Sequence, residues 1–270
     1  MDWRQRLLRP PALQDWIVVL RAWRLWVLGG LLGALAGAGL YAVAPPPFRA
    51  RAEVVVDYNL EEAWPQATDR QLFQYLAREN KKLHALAWSD AVLQRTAAQA
   101  GVPFTSDWRQ GPFTLRDEHD GRWHFWVTAE SPQTAQRLAR AWAQAFVVEV
   151  HQRVQVALRL LSDRSALQEL GAQMAALEVA CATAQPPPEC PAQRARLEER
   201  RTRLEGEILA LEAASAGILP YVEVSLTQAQ ALPVTRRASP GAYALTGAAL
   251  GVLLSLAGAL MVMGEQEHEH

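Results

Sequence analysis

The 270-residue sequence lacks an excess of charge of either sign. It contains 27 Lys and Arg against 28 Asp and Glu, which gives a formal net charge of −1, and Lys81 and Lys82 are its only lysines. A protein that binds nucleic acid needs a basic surface to neutralise phosphates. The composition therefore gives no reason to expect nucleic acid as a partner.

The sequence also lacks the short motifs of common catalytic and cofactor sites. It has no G-x-x-x-x-G-K-[ST], no G-x-G-x-x-G, no H-E-x-x-H and no G-x-S-x-G. His84, His119, His124 and His151 do not have the spacing of metal ligands. We therefore expect no catalytic residue, no cofactor and no metal, and hence a protein that is not an enzyme. An enzyme whose site is assembled by the fold from scattered residues is the alternative.

Charge is absent from two long apolar segments, residues Leu25–Ala44 and Ala242–Met263. A helix of about 20 residues crosses the hydrocarbon core of a bilayer, so each segment predicts a transmembrane helix and a purely soluble protein is excluded. A cleaved signal peptide is the alternative for the first segment, because Ala42-Val43-Ala44 resembles a cleavage site. Pro45 follows that site at once, and the apolar run is long for a signal peptide, which favours an uncleaved anchor.

The flanking charges predict the orientation. Five arginines precede the first span: Arg4, Arg6, Arg9, Arg21 and Arg24. This excess places residues 1–24 in the cytoplasm, and two spans return residues 264–270 there. Arg236 and Arg237, outside the second span, oppose this assignment mildly, but a long loop is translocated largely regardless of its charge. We expect a multi-pass protein of the cytoplasmic (inner) membrane whose residues 45–241 are extracytoplasmic.

Neither span contains an ionisable side chain, which argues against a channel or pump formed by this chain alone. Small residues recur at four-residue spacing on one face of each span, and they predict close helix packing within or between protomers. The alternative is that glycine and alanine are simply common in such helices. The residues are Gly29, Gly33, Gly37, Gly247, Gly251 and Ser255.

Between the spans, the pattern predicts a mixed α/β base. Its elements are a strand over 49–58 after three prolines, helices over Asp69–Glu79 and Ser89–Gln99, a hairpin around Asp120-Gly121, and a strand over Tyr221–Leu226. Four hairpin aromatics are interpreted as sheet core rather than as a sugar-stacking platform: Phe113, Trp123, Phe125 and Trp126. Asp117-Glu118-His119-Asp120 is interpreted as a solvated turn rather than a metal or catalytic site. Likewise, Glu267–His270 is interpreted as a disordered tail rather than a weak metal site.

A helical arm is predicted over residues 132–217. Ser131-Pro132 begins a helix that continues to Cys181, and a return helix covers Ala192–Gly217. Leucine and methionine at heptad spacing predict an antiparallel coiled-coil hairpin in which residues 156–181 pair with 191–217. The seam residues are Leu167, Leu170, Met174 and Leu177 on the first helix, and Leu197, Leu204, Ile208 and Leu211 on the second.

The chain has two cysteines, Cys181 and Cys190, and both fall at the tip of this arm. An oxidising compartment favours a disulfide between them, and two free thiols are the alternative. A metal site would require more ligands than the tip provides.

Several segments give the chain its resemblance to a known family. These are Asp15–Arg24 before the first span, Pro47-Phe48-Arg49-Ala50-Arg51-Ala52-Glu53-Val54 after it, Ser131–Ala139 at the helix start, and Ala231-Leu232-Pro233 with Pro240 before the second span. In their order and spacing they resemble the chain-length determinant family, the polysaccharide co-polymerases of bacterial O-antigen, capsule and exopolysaccharide assembly. The short arm with its cysteine pair departs from that pattern.

The resemblance implies an α+β membrane protein in which two transmembrane helices flank an extracytoplasmic α/β base with a long protruding helical hairpin. It also implies a ring-like homo-oligomer without catalysis that regulates chain length or export of a lipopolysaccharide O-antigen, capsule or exopolysaccharide. Its partners would be the lipid bilayer and a polymerase, flippase or exporter. The alternative is a transmembrane adaptor that activates a separate cytoplasmic tyrosine kinase through residues 1–24 and 264–270. The tail has no tyrosine cluster, so a self-phosphorylating version is not expected.

Overall fold

A computed structural model describes residues 23–63, 71–118, 120–182, 187–227 and 232–266. Most of the predicted cytoplasmic segment 1–24 and the last four residues of the predicted tail lie outside these ranges. The chain divides into two compact units. The helix-pair unit comprises the residues up to Phe48 and those from Thr235 onward, and the central unit comprises Arg49–Val234.

Helices and strands alternate irregularly along the chain. In order they are α1 (Trp23–Val43), β1 (Phe48–Asp57), α2 (Leu60–Ala63), α3 (Leu72–Ala87), α4 (Asp90–Ala100), a 3-10 helix (Ser106–Arg109), β2 (Phe113–Asp117), β3 (Arg122–Ala129), α5 (Pro132–Cys181), α6 (Cys190–Ser215), β4 (Glu223–Leu226), β5 (Val234–Arg236) and α7 (Pro240–Gln266).

The helix-pair unit is built from the two apolar helices. α1 has 21 residues with a mean hydropathy of 1.7, and the Pro240–Gly258 part of α7 has a mean hydropathy of 1.5. Both are long enough to cross a bilayer, and both leave most of their described leucines exposed. The helices cover the two predicted spans to within one residue at the end of α1, where Ala44 lies just beyond the helix.

The sheet of the central unit has the strand order β2-β3-β1-β4. β2 and β3 form the predicted antiparallel hairpin, in which Leu115 lies opposite Phe125. At the turn, Gly121 adopts a φ of +83°, and a Cβ there would lie 2.7 Å from the Val56 carbonyl oxygen. Glycine is therefore required at this turn. Any other residue would have a strained backbone at this positive φ, and its Cβ would clash with β1.

One face of the sheet forms the core with the helices. Alternate residues of β1 are buried at Ala50, Ala52, Val54 and Val56, as a half-buried strand requires. The first half of α5 packs on this face and on α4, and its Trp142 is fully buried. The structure confirms the predicted helix start, because Ser131 caps α5 by accepting a hydrogen bond from the Thr134 N–H.

Several boundaries differ from those predicted. The helix expected to end at Glu79 continues to Ala87 as α3, because Leu83 and Leu86 extend its buried face beyond the polar stretch 80–82. The return helix ends at Ser215, since Ala216 and Gly217 are left-handed. The last predicted strand is shorter, and β5, α2 and the 3-10 helix were not predicted.

Candidate functional site

The predicted small residues lie between α1 and α7 and let the two backbones touch. A Cβ added to Gly33 would lie 2.9 Å from the Gly247 carbonyl carbon and 3.1 Å from the Gly251 Cα. Gly37 would meet Tyr243 in the same way, and Gly29 would meet Gly251 together with Ser255. Since contacts with later residues of α7 fall at earlier residues of α1, the two helices are antiparallel. A side chain at Gly29, Gly33 or Gly37 therefore cannot be accommodated without moving the opposite helix.

Aromatic and arginine side chains lie at both ends of the helix pair. At one end, the Arg24 guanidinium lies 5.8 Å from the Trp23 ring. At the other, the rings of Tyr41 and Tyr243 are 5.5 Å apart, and the Arg236 guanidinium lies 5.4 Å from Tyr41. Amphipathic rings at both ends of an apolar helix pair are typical of segments anchored in two membrane interfaces.

The proline-led residues of the resemblance flank the helix pair. The carbonyl of Pro47 accepts a hydrogen bond from the Arg237 N–H at 3.1 Å, and Phe48 lies 4.9 Å from the Arg236 guanidinium. Pro240 is the first residue of α7, where the missing N–H of proline costs nothing. Pro233 is exposed. Ala50 and Ala52 belong instead to the core of the central unit.

The arm is a helical hairpin of α5 and α6 within the central unit. Every predicted seam residue is less exposed than the arginines and glutamates around it, and Leu170 is 1% exposed. Arg164 on α5 reaches Glu212 on α6 at 2.6 Å, which links the two helices on their solvated side. α5 has 50 residues, so it is about 75 Å long.

A disulfide joins the two helices at the tip of the arm. It links Cys181, the last residue of α5, to Cys190, the first residue of α6, with their Cα atoms 6.0 Å apart. No free cysteine remains. Cys190 is buried, so the bond continues the apolar seam into the turn.

Replacing both cysteines with serine is expected to destabilise the tip by about 2–3 kcal/mol, because the bond closes a loop of about ten residues. Hydrogen–deuterium exchange of the peptides around Cys181 and Cys190 measures the effect as faster exchange, and reductant added to the native protein should reproduce it. Exchange in α4 serves as the internal control and should not change. Unchanged exchange at the tip, or two thiols that alkylate without reductant, would contradict the disulfide.

Two buried carboxylates, Glu149 and Glu79, each pair with a cation that also binds a backbone carbonyl at or just beyond the end of α6. Glu149 is 4% exposed and is paired with Arg95 at 3.1 Å and with Arg153 at 2.7 Å. The same Arg153 donates a hydrogen bond to the Ala214 carbonyl near the end of α6. Glu149 therefore compensates the charge of both arginines, and Arg153 also satisfies a carbonyl at the end of α6, whereas Arg95 also donates to the Gln152 side chain.

Glu79 has the same role on α3. It is 2% exposed and accepts hydrogen bonds from Lys82 at 2.8 and 2.9 Å, and Lys82 also donates to the Gly217 carbonyl at 2.7 Å. Nearby, the Tyr58 hydroxyl donates to the Asn80 side chain. Burial raises the pKa of Tyr58 above its usual value, and the neighbouring Glu79 carboxylate adds to the shift. Tyr58 therefore remains neutral and able to donate through the physiological range.

The acidic hairpin tip forms internal contacts. Asp120 accepts a hydrogen bond from Arg122 at 2.6 Å, and that hydrogen bond lowers the pKa of Asp120. Glu118 Oε1 lies 2.9 Å from His124 Nε2. His119 lies outside the described residues. Within the described ranges, no group of three or more metal-binding side chains occurs.

The prediction that all four hairpin aromatics belong to the core is wrong for Trp126. Phe113, Trp123 and Phe125 are buried, and each has its ring against Trp142 or Phe146. Trp126 lies on the opposite face of the sheet, with the Arg49 guanidinium 4.1 Å from its ring. Strict alternation along β3 separates Trp126 from Phe125 and Val127 and would have given its orientation.

No protein-family model matches this chain, and no curated protein sequence matches it. Among solved structures, the chain is similar to a full-length bacterial polysaccharide co-polymerase, with 10% sequence identity and a TM-score of 0.39. The similarity covers 95% of this chain and 99% of the other. Identity and TM-score are both too low for a function to be carried over from this structure.

Proposed function

We propose that this protein is a non-catalytic membrane scaffold that regulates the chain length or export of a surface polysaccharide. One observation carries the proposal: the two ends of the chain are apolar helices that pack as an antiparallel pair, and the chain between them folds as a sheet-based unit with a long helical arm. This arrangement suits a protein fixed to the inner membrane at both ends whose central unit lies outside the cytoplasm.

The residues of the helix pair support the membrane placement. Glycines that allow backbone contact are characteristic of helices that associate in lipid, where no hydrophobic effect drives them together. The clusters around Trp23 and Tyr41 fit the two polar boundaries of a bilayer. We infer that α1 and α7 cross the membrane as one packed pair.

The polysaccharide role is supported by the sequence resemblance to the chain-length determinant family. The matching segment from Pro47 to Val54 follows α1 and forms most of the core strand β1. The matching segment at Ser131 caps the arm helix, and Pro240 begins α7. These three segments therefore have definite structural positions, and the segment Asp15–Arg24 lies largely outside the described residues. A homo-oligomer and a partner polymerase, flippase or exporter belong to the same proposal.

Deleting the gene in its host should remove the preferred length of the surface polysaccharide, which a gel of the extracted polymer displays. Complementation with the wild type should restore the length pattern. A Gly39→Leu variant should also restore it, because nothing lies within 4 Å of a Cβ at Gly39, whereas Gly33→Leu should not. An unchanged length distribution and an unchanged amount after deletion would contradict the proposed function.

A further inference from the structure

The helical arm carries a second heptad pattern, on the side of α5 that is turned away from α6. It begins at Leu158 and ends at Val179, advances in alternating steps of three and four residues over three heptads, and contains no charged residue. All of its residues are exposed, and Val179 is 76% exposed. We call this face the α5 stripe, and its residues are Leu158, Leu161, Ser165, Gln168, Ala172, Ala175 and Val179.

α6 has a matching pattern on its own outward side. It begins at Ala192 and ends at Ala213 with the same steps, so that each pattern covers about 33 Å of helix. Its one charged residue, Glu199, is paired with Arg203 of the same helix at 3.1 Å. We call this face the α6 stripe, and its residues are Ala192, Ala195, Glu199, Thr202, Gly206, Leu209 and Ala213.

The spacing of the stripes indicates what would cover them. Uncharged residues at heptad spacing on a solvated helix are typical of a face that packs on another helix. Within the described residues the α5–α6 contact uses the inner seam, and both stripes stay exposed, with Leu161 45% and Leu209 70% exposed. A partner that covers either stripe should therefore be a helix of the same period, and a second copy of this chain provides one.

The two stripes also match in height along the arm. Arg164 on α5 lies 2.6 Å from Glu212 on α6, and this contact sets the level of one helix against the other. At a rise of about 1.5 Å per residue, Leu209 then falls between the levels of Ser165 and Gln168. Arms that stand side by side at equal height would thus insert Leu209 of one copy into a gap of the α5 stripe of the next, as a knob enters a hole.

The charges that flank the stripes are complementary. Counted at 3.6 residues per turn, Glu169 lies on one flank of the α5 stripe and Arg164 on the other, while Arg203 and Glu205 lie on the corresponding flanks of the α6 stripe. Antiparallel helices bring corresponding flanks together, so Glu169 comes to the side of Arg203, and Arg164 to the side of Glu205. Two α5 stripes, or two α6 stripes, would bring like charges together instead. Among the described residues Glu169 has no ion-pair partner of its own.

We propose that the α5 stripe of one copy packs antiparallel on the α6 stripe of a second copy, so that the arm is a contact between subunits. The inference deepens the proposed function and rests on the homo-oligomer that belongs to it. Arms that stand side by side in a cyclic assembly point the same way, which makes α5 of one copy antiparallel to α6 of the next. Because the two stripes differ, each copy uses one stripe for each neighbour, and such a head-to-tail contact repeats until a ring closes.

Cross-linking of the full-length protein in its native membrane tests this contact. Ala172→Cys and Gly206→Cys place thiols at nearly the same level, one in each stripe, and a short bis-maleimide joins free thiols while the Cys181–Cys190 disulfide stays intact. The double variant should give a ladder of cross-linked species on a denaturing gel. Neither single variant should give a cross-linked species, whereas the two single variants produced in one cell should give a dimer and nothing larger.

The matched control moves each cysteine by one residue along its helix. Gln173→Cys/Glu207→Cys uses positions that are equally exposed but point about 100° away from the stripes, so the ladder should be lost. An equal ladder from this control would show random collision and would overturn the proposal. A dimer from Ala172→Cys alone would show that two α5 stripes meet, which would also overturn it.

The size of the detergent-solubilised protein gives a second test and separates the possible failures. Leu209→Glu places a charge in the α6 stripe and should convert the oligomer into monomers without lowering the melting temperature, since Leu209 is exposed. Phe73→Glu makes the same kind of change at a side chain that is 86% exposed on α3 and should leave the oligomer intact. An oligomer that survives Leu209→Glu would overturn this contact alone. A wild type that is monomeric in detergent and forms no cross-links in the membrane through the 172/206 pair would contradict the homo-oligomer of the proposed function as well.

Discussion

Trp142→Ala is expected to lower the free energy of unfolding of the central unit by about 4 kcal/mol. Trp142 is 0% exposed, and its ring lies 4.8 to 4.9 Å from the rings of Trp88, Phe113 and Phe125. Its Nε1–H also donates to the Ala87 carbonyl at 3.0 Å. One side chain thus joins α5 to α3 and to the hairpin of the sheet, and its removal leaves a cavity at their junction.

Chemical denaturation followed by circular dichroism measures this loss, and two variants calibrate it. Phe73→Ala removes an aromatic ring that is 86% exposed and should change the free energy of unfolding by less than about 0.5 kcal/mol. Trp142→Phe retains a ring but leaves the Ala87 carbonyl without its donor, so its cost should be intermediate. If Trp142→Ala cost no more than Phe73→Ala, the described core would be wrong.

Gly33→Leu is expected to separate α1 from α7, at a cost of about 3 kcal/mol or more in helix-pair stability. A Cβ alone would lie 2.9 Å from the Gly247 carbonyl carbon, and that atom is backbone, which cannot rotate away. The rest of a leucine side chain would then lie where α7 now runs. Gly39→Leu is the matched control, because nothing lies within 4 Å of its Cβ.

Cross-linking reports the helix separation directly. The rings of Tyr41 and Tyr243 are 5.5 Å apart, so cysteines placed at these two positions, with Cys181 and Cys190 changed to serine, should be joined within one chain by a flexible bis-maleimide. Gly33→Leu should abolish this cross-link, and Gly39→Leu should retain it. Equal cross-linking in both variants would show that the glycine face does not hold the pair together.

Local sequence signals were sufficient for the periodic parts of the fold. The heptad steps from Leu167 to Leu177 and from Leu197 to Leu211 predicted which arm residues are shielded, because helical periodicity alone decides which face is buried. The hairpin was predicted from a glycine turn between two apolar strands, and the structure forms it at the expected residues. The two apolar helices could be read from length and composition.

Contacts between residues distant in sequence could not be predicted. Lys82 reaches the Gly217 carbonyl across 135 positions, and Arg153 reaches the Ala214 carbonyl across 61. No local pattern indicates which cation will cap a given helix terminus. The extension of α3 past Glu79 had the same cause, since polar residues 80–82 suggest a helix end until tertiary contacts bury Leu83 and Leu86. The Arg49–Trp126 contact likewise required the order of the strands.

Thiol labelling of intact cells tests the central proposal, that the chain crosses the membrane at both ends and exposes its central unit outside the cytoplasm. In a Cys181→Ser/Cys190→Ser background, a cysteine replaces either Glu205, which is exposed on α6, or Glu265, close to the end of α7. A membrane-impermeant maleimide should label the cysteine at 205 in intact cells whose outer layer is permeable to it, and should label the cysteine at 265 only after lysis. Labelling at 265 but not at 205 before lysis, or at neither position until lysis, would contradict the account.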